Sequence, residues 1–447
     1  MKNTKRTIMI CILAFVMVFG LSACNTSSGE TPGTDSSSGG TSTSEGASDS
    51  GTGDLPYEGV TLTFWMPPYT ADEDQSYWDG RMEVFKEQTG VNVEVTIVPW
   101  GDMGAKYLAG FMSGQGPDVF YMVNELMYDV IEAGACLELS PYFSAEEVAD
   151  QLLWESCIQM GGHYAAPFSS GVSFRGMAFN MDILDAAGVA KAPATWDEVI
   201  DAGQKVKAAN LCEYPVLYGM SSTNNTAVLN SFLPTLWSAG GDMVNADGTE
   251  ATLNTPEALA ACQYLYGLSY EYSILSPDCT TIDTEGVQNL FREGKTAIAA
   301  AEVGYIMDVK DINTAFAFAV TDGKHDMMTF SPVDTMAVNA DSNNKDAAID
   351  LLKFLISTDS HVDFRTNNMY PALIRFNASD VPASYDNADI AALMENVGEY
   401  TRAMPVAKGI ATMTDAMTTN LQLMMMNELT PEAALEAMQN ACSAALR

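Results

Sequence analysis

Apolar and polar residues alternate from Val60 to Trp65, and again through Val91, Val93, Val95 and Ile97, with the two-residue period of a β-strand. Between them Trp78, Met82 and Phe85 recur at helical spacing, and Gly90 stops the helix they define. A strand, a helix and a strand joined this closely predict a right-handed crossover between parallel strands. Met103, Tyr107, Leu108 and Phe111 mark a second helix, which Gly114, Gly116 and Pro117 break ahead of a short strand over 118–121, so the unit continues as βαβαβ. Val172 to Asn180 then reads as a strand. Thr195 and Glu198 have capping-box spacing and open a helix with Trp196, Val199, Gly203 and Val206 on one face, which assigns Trp196 to the core. One helix ends at Trp237 before Gly240 and Gly241, Thr255 and Pro256 cap the next, and a third runs from Asp283 to Gly294 into an apolar strand from Thr296 to Ala301. Strands at Phe316 to Val320 and Thr335 to Asn339 precede a helix from Lys345 to Ser357 whose inner face is Ile349, Leu352 and Ile356. Thr430 and Pro431 open a final amphipathic helix that ends at Leu446. Helices alternating with strands throughout predict an α/β protein.

The first 54 residues fit none of these patterns. Lys2, Lys5 and Arg6 precede an apolar run from Ile8 to Gly20, too short for the roughly 20 helical residues that cross a bilayer, and Leu21, Ser22, Ala23 and Cys24 close it. That layout is a signal peptide over 1–23 with Cys24 as the first mature residue, its thiol carrying lipid. A plain secreted protein is the other reading of the same stretch. From Asn25 to Asp54 the chain is nearly all Ser, Gly and Thr with five acids and no base, a composition that buries no core and forms a tether spanning on the order of 30 Å.

Fifty-eight acids against 21 bases give a net charge of −37, which repels nucleic acid and anionic headgroups. Cys136, Cys157, Cys212, Cys262, Cys279 and Cys442 remain in the body, enough for three disulfides or for buried free thiols; no Cys-x-x-Cys pair points to zinc. His163, His325 and His361 lack ligand spacing, and there is no nucleophile elbow, zinc-protease helix or phosphate loop. Asp242, Asn245, Asp247 and Gly248 read as a hairpin turn more readily than as a calcium loop. No metal, cofactor or catalytic group is expected.

Ligands of open α/β sheets bind beyond the carboxyl ends of the strands. Those positions hold Trp65, Pro67, Pro68 and Tyr69, then Pro99 and Trp100, then Met122, Asn124 and Glu125. Rings beside amide and carboxylate acceptors suit a neutral polyol, whose C–H faces stack while its hydroxyls hydrogen-bond. The same tryptophans would equally serve to plug the sheet edge.

Several segments in one order carry a family resemblance: Trp65 after the first strand, residues 116–120, Tyr164 to Pro167 with Phe179 and Asn180 following, residues 193–198, Ala239 to Gly241, and residues 291–298. From about Val60 to the C-terminus the chain resembles the extracellular solute-binding proteins of sugar-type ABC transporters, in the maltodextrin-binding group. The resemblance implies a two-lobed periplasmic-binding-protein fold, each lobe a mostly parallel sheet flanked by helices with the solute in the cleft. It places the first lobe in 55–165, the second in 166–329, a return to the first in 330–375, and C-terminal helices of the second in 376–447. Contact positions carry over to Tyr69, Met122, Asn124 and Glu125 in the first lobe, and to Asn230 and Tyr305 in the second. Near Met413, where maltodextrin binders have another tryptophan, this chain has no ring, which argues against long oligosaccharides. The function so implied is a monomeric receptor, lipid-anchored at the extracellular face of the cell membrane, that delivers a mono- or short oligosaccharide to the permease subunits of an ABC importer. A surface glycoside hydrolase, or the same receptor binding a peptide or cationic solute, is the alternative.

Overall fold

The computed structural model describes residues 55–68, 74–149, 151, 154, 157–170, 174–307, 309–368 and 396–447. Thirteen strands follow one another among these: β1 Thr61–Met66, β2 Asn92–Ile97, β3 Val119–Met122, β4 Ile158–Gln159, β5 Gly162–His163, β6 Ala166–Ser170, β7 Arg175–Asn180, β8 Tyr214–Tyr218, β9 Thr296–Glu302, β10 Thr314–Ala317, β11 Thr329–Phe330, β12 Val333–Val338 and β13 Thr401–Arg402.

Two larger sheets organise them, in the orders β2-β1-β3-β12-β6 and β10-β7-β9-β8. β1 is parallel to β2 and β3, whereas β12 runs antiparallel to both β3 and β6, so one strand of five is reversed. In the second sheet β8 is parallel to β9, and β7 runs against β9 and β10. The reversed strands are the first ones laid down after each passage between the sheets. Strands of a βαβ unit point their carboxyl ends at the cleft, but a strand arriving from the other lobe enters from the cleft and points away. Among the described residues the chain therefore leaves the first sheet after Ser170 and re-enters it between Phe330 and Val333. The exit past Ser170 is later than the expected boundary at 165, because β6 pairs with β12 and completes the first sheet.

Local chemistry explains the elements. Helix Asp74–Thr89 buries Trp78, Met82 and Phe85 and ends at Gly90, whose φ of +82° is a left-handed turn open to glycine. Helix Trp196–Ala209 has the reciprocal capping box of Thr195 and Glu198 and buries Val199, Ala202, Gly203 and Val206. Its Trp196 stacks on Tyr264 at 4.6 Å. Thr255 and Thr430 cap helices Pro256–Tyr270 and Pro431–Ala445, each with proline in the first turn.

One apolar core gathers on the first sheet around Phe64, Tyr107, Phe120, Tyr121, Met336 and Leu352. The second sheet has a core on each face, and the larger includes Met413, Met417, Leu421, Leu435 and Met438 from helices Ile410–Met425 and Pro431–Ala445. The six body cysteines are unpaired, five of them buried and Cys212 partly so. Burial pushes the thiols of Cys157, Cys262, Cys279 and Cys442 up to about 12, so they act as small apolar side chains. Asn245 spends its amide oxygen on the backbone N–H groups of Thr249 and Glu250, fixing a hairpin turn with Gly248 in the left-handed region. Among the described residues no helix is long and apolar enough to cross a membrane.

Candidate functional site

The strand directions bring the carboxyl ends of β1, β2, β3 and β6 and the start of β12 to one edge of the first sheet. They bring the ends of β8 and β9 and the start of β7 to one edge of the second. What projects at these edges lines the cleft.

On the first lobe the prominent group is Trp100. It opens a one-turn 3-10 helix, Trp100–Asp102, directly after β2, and its side chain is 42% exposed, unusual for so large an apolar group. Its indole Nε1–H donates to the carbonyl of Pro68 at 3.0 Å, and the ring meets Tyr121 edge-on at 5.7 Å. A ring held at both its polar tip and its edge is a preformed platform.

On the second lobe the cleft edge is charged. Arg175, first residue of β7, sits in register with Glu302, last residue of β9, and its Nη1 lies 2.9 Å from Glu302 Oε1. Arg175 Nε donates to Asn230 Oδ1 at 2.9 Å, and Asn230 Nδ2 donates to Thr284 Oγ1 at 3.1 Å. Asn230 rides on a π-helical segment, Ala227–Phe232, whose wider turn is a recurrent feature of functional sites. The guanidinium also lies over the ring of Phe330 at 5.4 Å, and Thr329 Oγ1 donates to the Arg175 carbonyl, so the return passage is fastened to the residue that ends the outward one. Next to it, Gly176 permits the close pairing of β10 on β7, since a Cβ there would stand 2.7 Å from the Ala317 carbonyl oxygen.

Asp334, second residue of β12, completes the group from the first sheet, accepting from Ser169 Oγ at 2.8 Å. Asp334 and Glu302 are 7% and 8% exposed. Burial raises the Glu302 carboxyl above the usual carboxylate range; the Arg175 charge opposes the rise and the Asp334 charge adds to it.

Against this geometry the residues expected at the site divide. Trp100 stands at the cleft edge with part of its ring exposed. The half-buried Trp65 ring packs on helix Met103–Met112, 5.6 Å from the Tyr107 ring with Lys106 Nζ 4.8 Å from its centroid, and a Cβ on Gly110 would stand 2.9 Å from it. Strand parity is the reason, for Leu62, Phe64 and Met66 take the buried face of β1 and Trp65 turns to the face this helix covers. Met122 is fully buried, and its contribution is a carbonyl that accepts from Thr335 Oγ1. Asn230 is 3% exposed with its amide committed to Arg175 and Thr284, so it orients the guanidinium. Asn124 begins helix Asn124–Glu132 beyond β3, and Tyr305 ends the turn Val303–Tyr305 beyond β9, both backbones at the cleft edge. The side chains of Asn124, Glu125 and Tyr305, and the whole of Tyr69 and Cys24, lie outside the described residues. Met413 is fully buried.

Sequence reasoning missed Arg175, Glu302 and Asp334. A signal was present: each is a lone charge at the cleft end of an otherwise apolar or neutral strand.

The chain matches the family of bacterial extracellular solute-binding proteins over residues 68–362. A binding protein of Brucella abortus (strain 2308) is 25% identical over 359 residues, 78% of this chain and 84% of that protein. A maltotriose-binding protein of Pyrococcus abyssi is 24% identical over 276 residues, 59% of this chain and 56% of that one. Among solved structures, an ABC transporter solute-binding protein of Thermotoga lettingae bound with alpha-D-tagatose is similar with a TM-score of 0.74 at 21% identity, covering 87% of this chain and 100% of that one. A maltose-bound protein of T. maritima gives 0.72 at 20% identity, with 86% and 99% covered. At these identities the structural likeness establishes the fold.

Proposed function

Because the chain belongs to the bacterial extracellular solute-binding proteins, a family of binding proteins and not of enzymes, we propose that its cleft receives a mono- or short oligosaccharide for delivery to the permease of an ABC importer. Lipid on Cys24 holds it at the outer face of the membrane, and the tether over 25–54 lets the body reach its partner.

Trp100 is the observation that carries the sugar class. A pinned, half-exposed indole at a strand end offers a flat face to the C–H side of a pyranose or furanose ring. The sugars carried by the tagatose-bound and maltose-bound neighbours support the same class. Burial of Met413, where a second-lobe ring would extend the platform, favours short sugars. The lobes are joined only by crossing segments of the chain, so bending there disturbs little packing, and a solute that touches both lobes shifts the population toward the closed form.

A thermal-shift screen against mono- and disaccharides, maltodextrins, peptides and polyamines tests this. A bound sugar at 100 times its Kd adds about 2.7 kcal/mol and raises Tm measurably. Stabilisation by peptides or polyamines alone, or release of cleaved sugar during incubation, overturns the carbohydrate-receptor reading.

A further inference from the structure

The body is rooted to the segment that precedes it on the side away from the cleft. Leu55 lies against the C-terminal turn of helix Asp74–Thr89, for a Cβ on Gly90 would stand 3.1 Å from Leu55 Cβ and 3.0 Å from the Glu58 backbone nitrogen. The Tyr57 N–H donates to the Thr89 carbonyl at 2.9 Å, and the Tyr57 hydroxyl donates to Asp350 Oδ2 of helix Lys345–Leu355 at 2.8 Å. The Val60 carbonyl accepts from the Asn92 N–H at 2.9 Å, which seats the segment where β1 and its parallel neighbour β2 begin. Those strand starts form the edge of the first sheet opposite the one that carries Trp100. With β1 six residues long, root and cleft edge are about 20 Å apart along the strand alone.

We propose that the anchored protein at rest shows its cleft to the medium, and that the length of the segment over 25–54 is what lets the body turn over and lay its cleft on a membrane-embedded permease. The inference rests on the lipid-anchored receptor reading and adds to it an orientation and a required reach.

Lengths decide it. With the root toward the bilayer a short link suffices. To bring the cleft down instead, the chain has to run from the bilayer past the side of the body to the opposite pole. A compact body of about 390 residues has a radius of gyration of about 21 Å, the size of a sphere of about 27 Å radius, so a quarter turn plus one radius makes that route about 70 Å. Fully extended, the thirty residues of 25–54 span at most about 100 Å, whereas ten would span at most about 36 Å. Thirty reach and ten do not. A Ser/Gly-rich chain of thirty has a root-mean-square span of about 30 Å, well short of that route, so the unstretched link leaves the root pole nearer the bilayer and the cleft outward. With 58 acids against 21 bases, anionic headgroups repel the body and do not draw it down.

Energy transfer from the protein to the bilayer is the test. The full-length lipidated protein, in a Cys212→Ser background that removes the body thiol not fully buried, carries a donor dye on Glu58→Cys at the root or on Asp102→Cys at the cleft edge, both exposed positions. It is reconstituted in vesicles of phosphatidylcholine and phosphatidylglycerol that contain an acceptor-labelled lipid. Transfer should be strong from Glu58→Cys and several-fold weaker from Asp102→Cys. Deleting residues 31–50, which leaves ten of the thirty, should keep the first and reduce the second several-fold further. Ser222→Cys, exposed beyond the carboxyl end of β8, replaces Asp102→Cys if that variant fails to fold. Equal transfer from root and cleft edge with the full segment, or cleft-edge transfer unchanged by the deletion, overturns the proposal. Mass spectrometry of the same samples separates the two failures: no lipid on Cys24 ends the anchor reading and this inference together, whereas either adverse result with lipid present ends this inference alone. The measurement uses neither sugar nor permease, so the outcome of the sugar screen does not bear on it.

Discussion

Replacing Trp100 with alanine separates a ligand platform from a surface ring that merely covers its neighbours. The residue is 42% exposed, so somewhat more than half of it already packs within the protein, and its indole N–H donates to the Pro68 carbonyl. Truncation loses that bond, about 1 kcal/mol net, and the apolar contact with Tyr121, leaving a folded protein with a modestly lower Tm. The exposed face is what a sugar would cover. Loss of a well-packed aromatic contact there costs roughly 1–3 kcal/mol of binding, a five- to 150-fold rise in Kd. Isothermal titration with the carbohydrate that gives the largest thermal shift reads this directly. Trp100→Phe separates the two contributions: it keeps a stacking face but gives up the Pro68 bond, so it should fall between wild type and alanine in affinity. A folded Trp100→Ala variant with the wild-type Kd would refute the reasoning, and would return this ring to the role of an edge plug.

Two further outcomes are expected. Gly203→Ala sets a Cβ 2.8 Å from Ile274 Cδ1 and 2.9 Å from Val216 Cγ2; the gain in helix propensity, about 1 kcal/mol, is outweighed by overpacking of 1–3 kcal/mol, so the urea midpoint should fall, and a raised midpoint would contradict the tight helix-to-sheet contact. Cys24→Ala should leave a precursor without lipid that is lost from the membrane fraction, and normal processing with lipid found by mass spectrometry would end the anchor reading.

The elements were more legible than the site. Caps at Thr195, Thr255 and Thr430 are local devices, written within four residues of sequence and realised as such. Trp65 and Trp100 look alike in sequence, each a tryptophan at the end of an alternating strand. What separates them is which face a later helix covers and whether a glycine, here Gly110, leaves room for the ring, and neither is written near either tryptophan. Arg175, Glu302 and Asp334 come from three strands of two sheets, and their meeting depends on both reversed strands starting at the cleft. Composition and periodicity carry no record of strand direction.

The place of β12 between β3 and β6 also sets the order in which the protein can be finished. β3 and β6 do not touch; the strand that joins them is made only after everything from Arg175 to Phe330. At roughly 5–20 residues per second of synthesis, the half-built first sheet waits roughly ten to thirty seconds with the inner edge of β3 unpaired. Closing so long a loop adds an entropic cost that grows only slowly with its length, so the delay is set by the arrival of the strand more than by the search for it. The lobe that begins first is therefore completed last, and until then the nascent chain keeps an exposed strand edge that a holding chaperone can occupy and a neighbouring chain can mispair with.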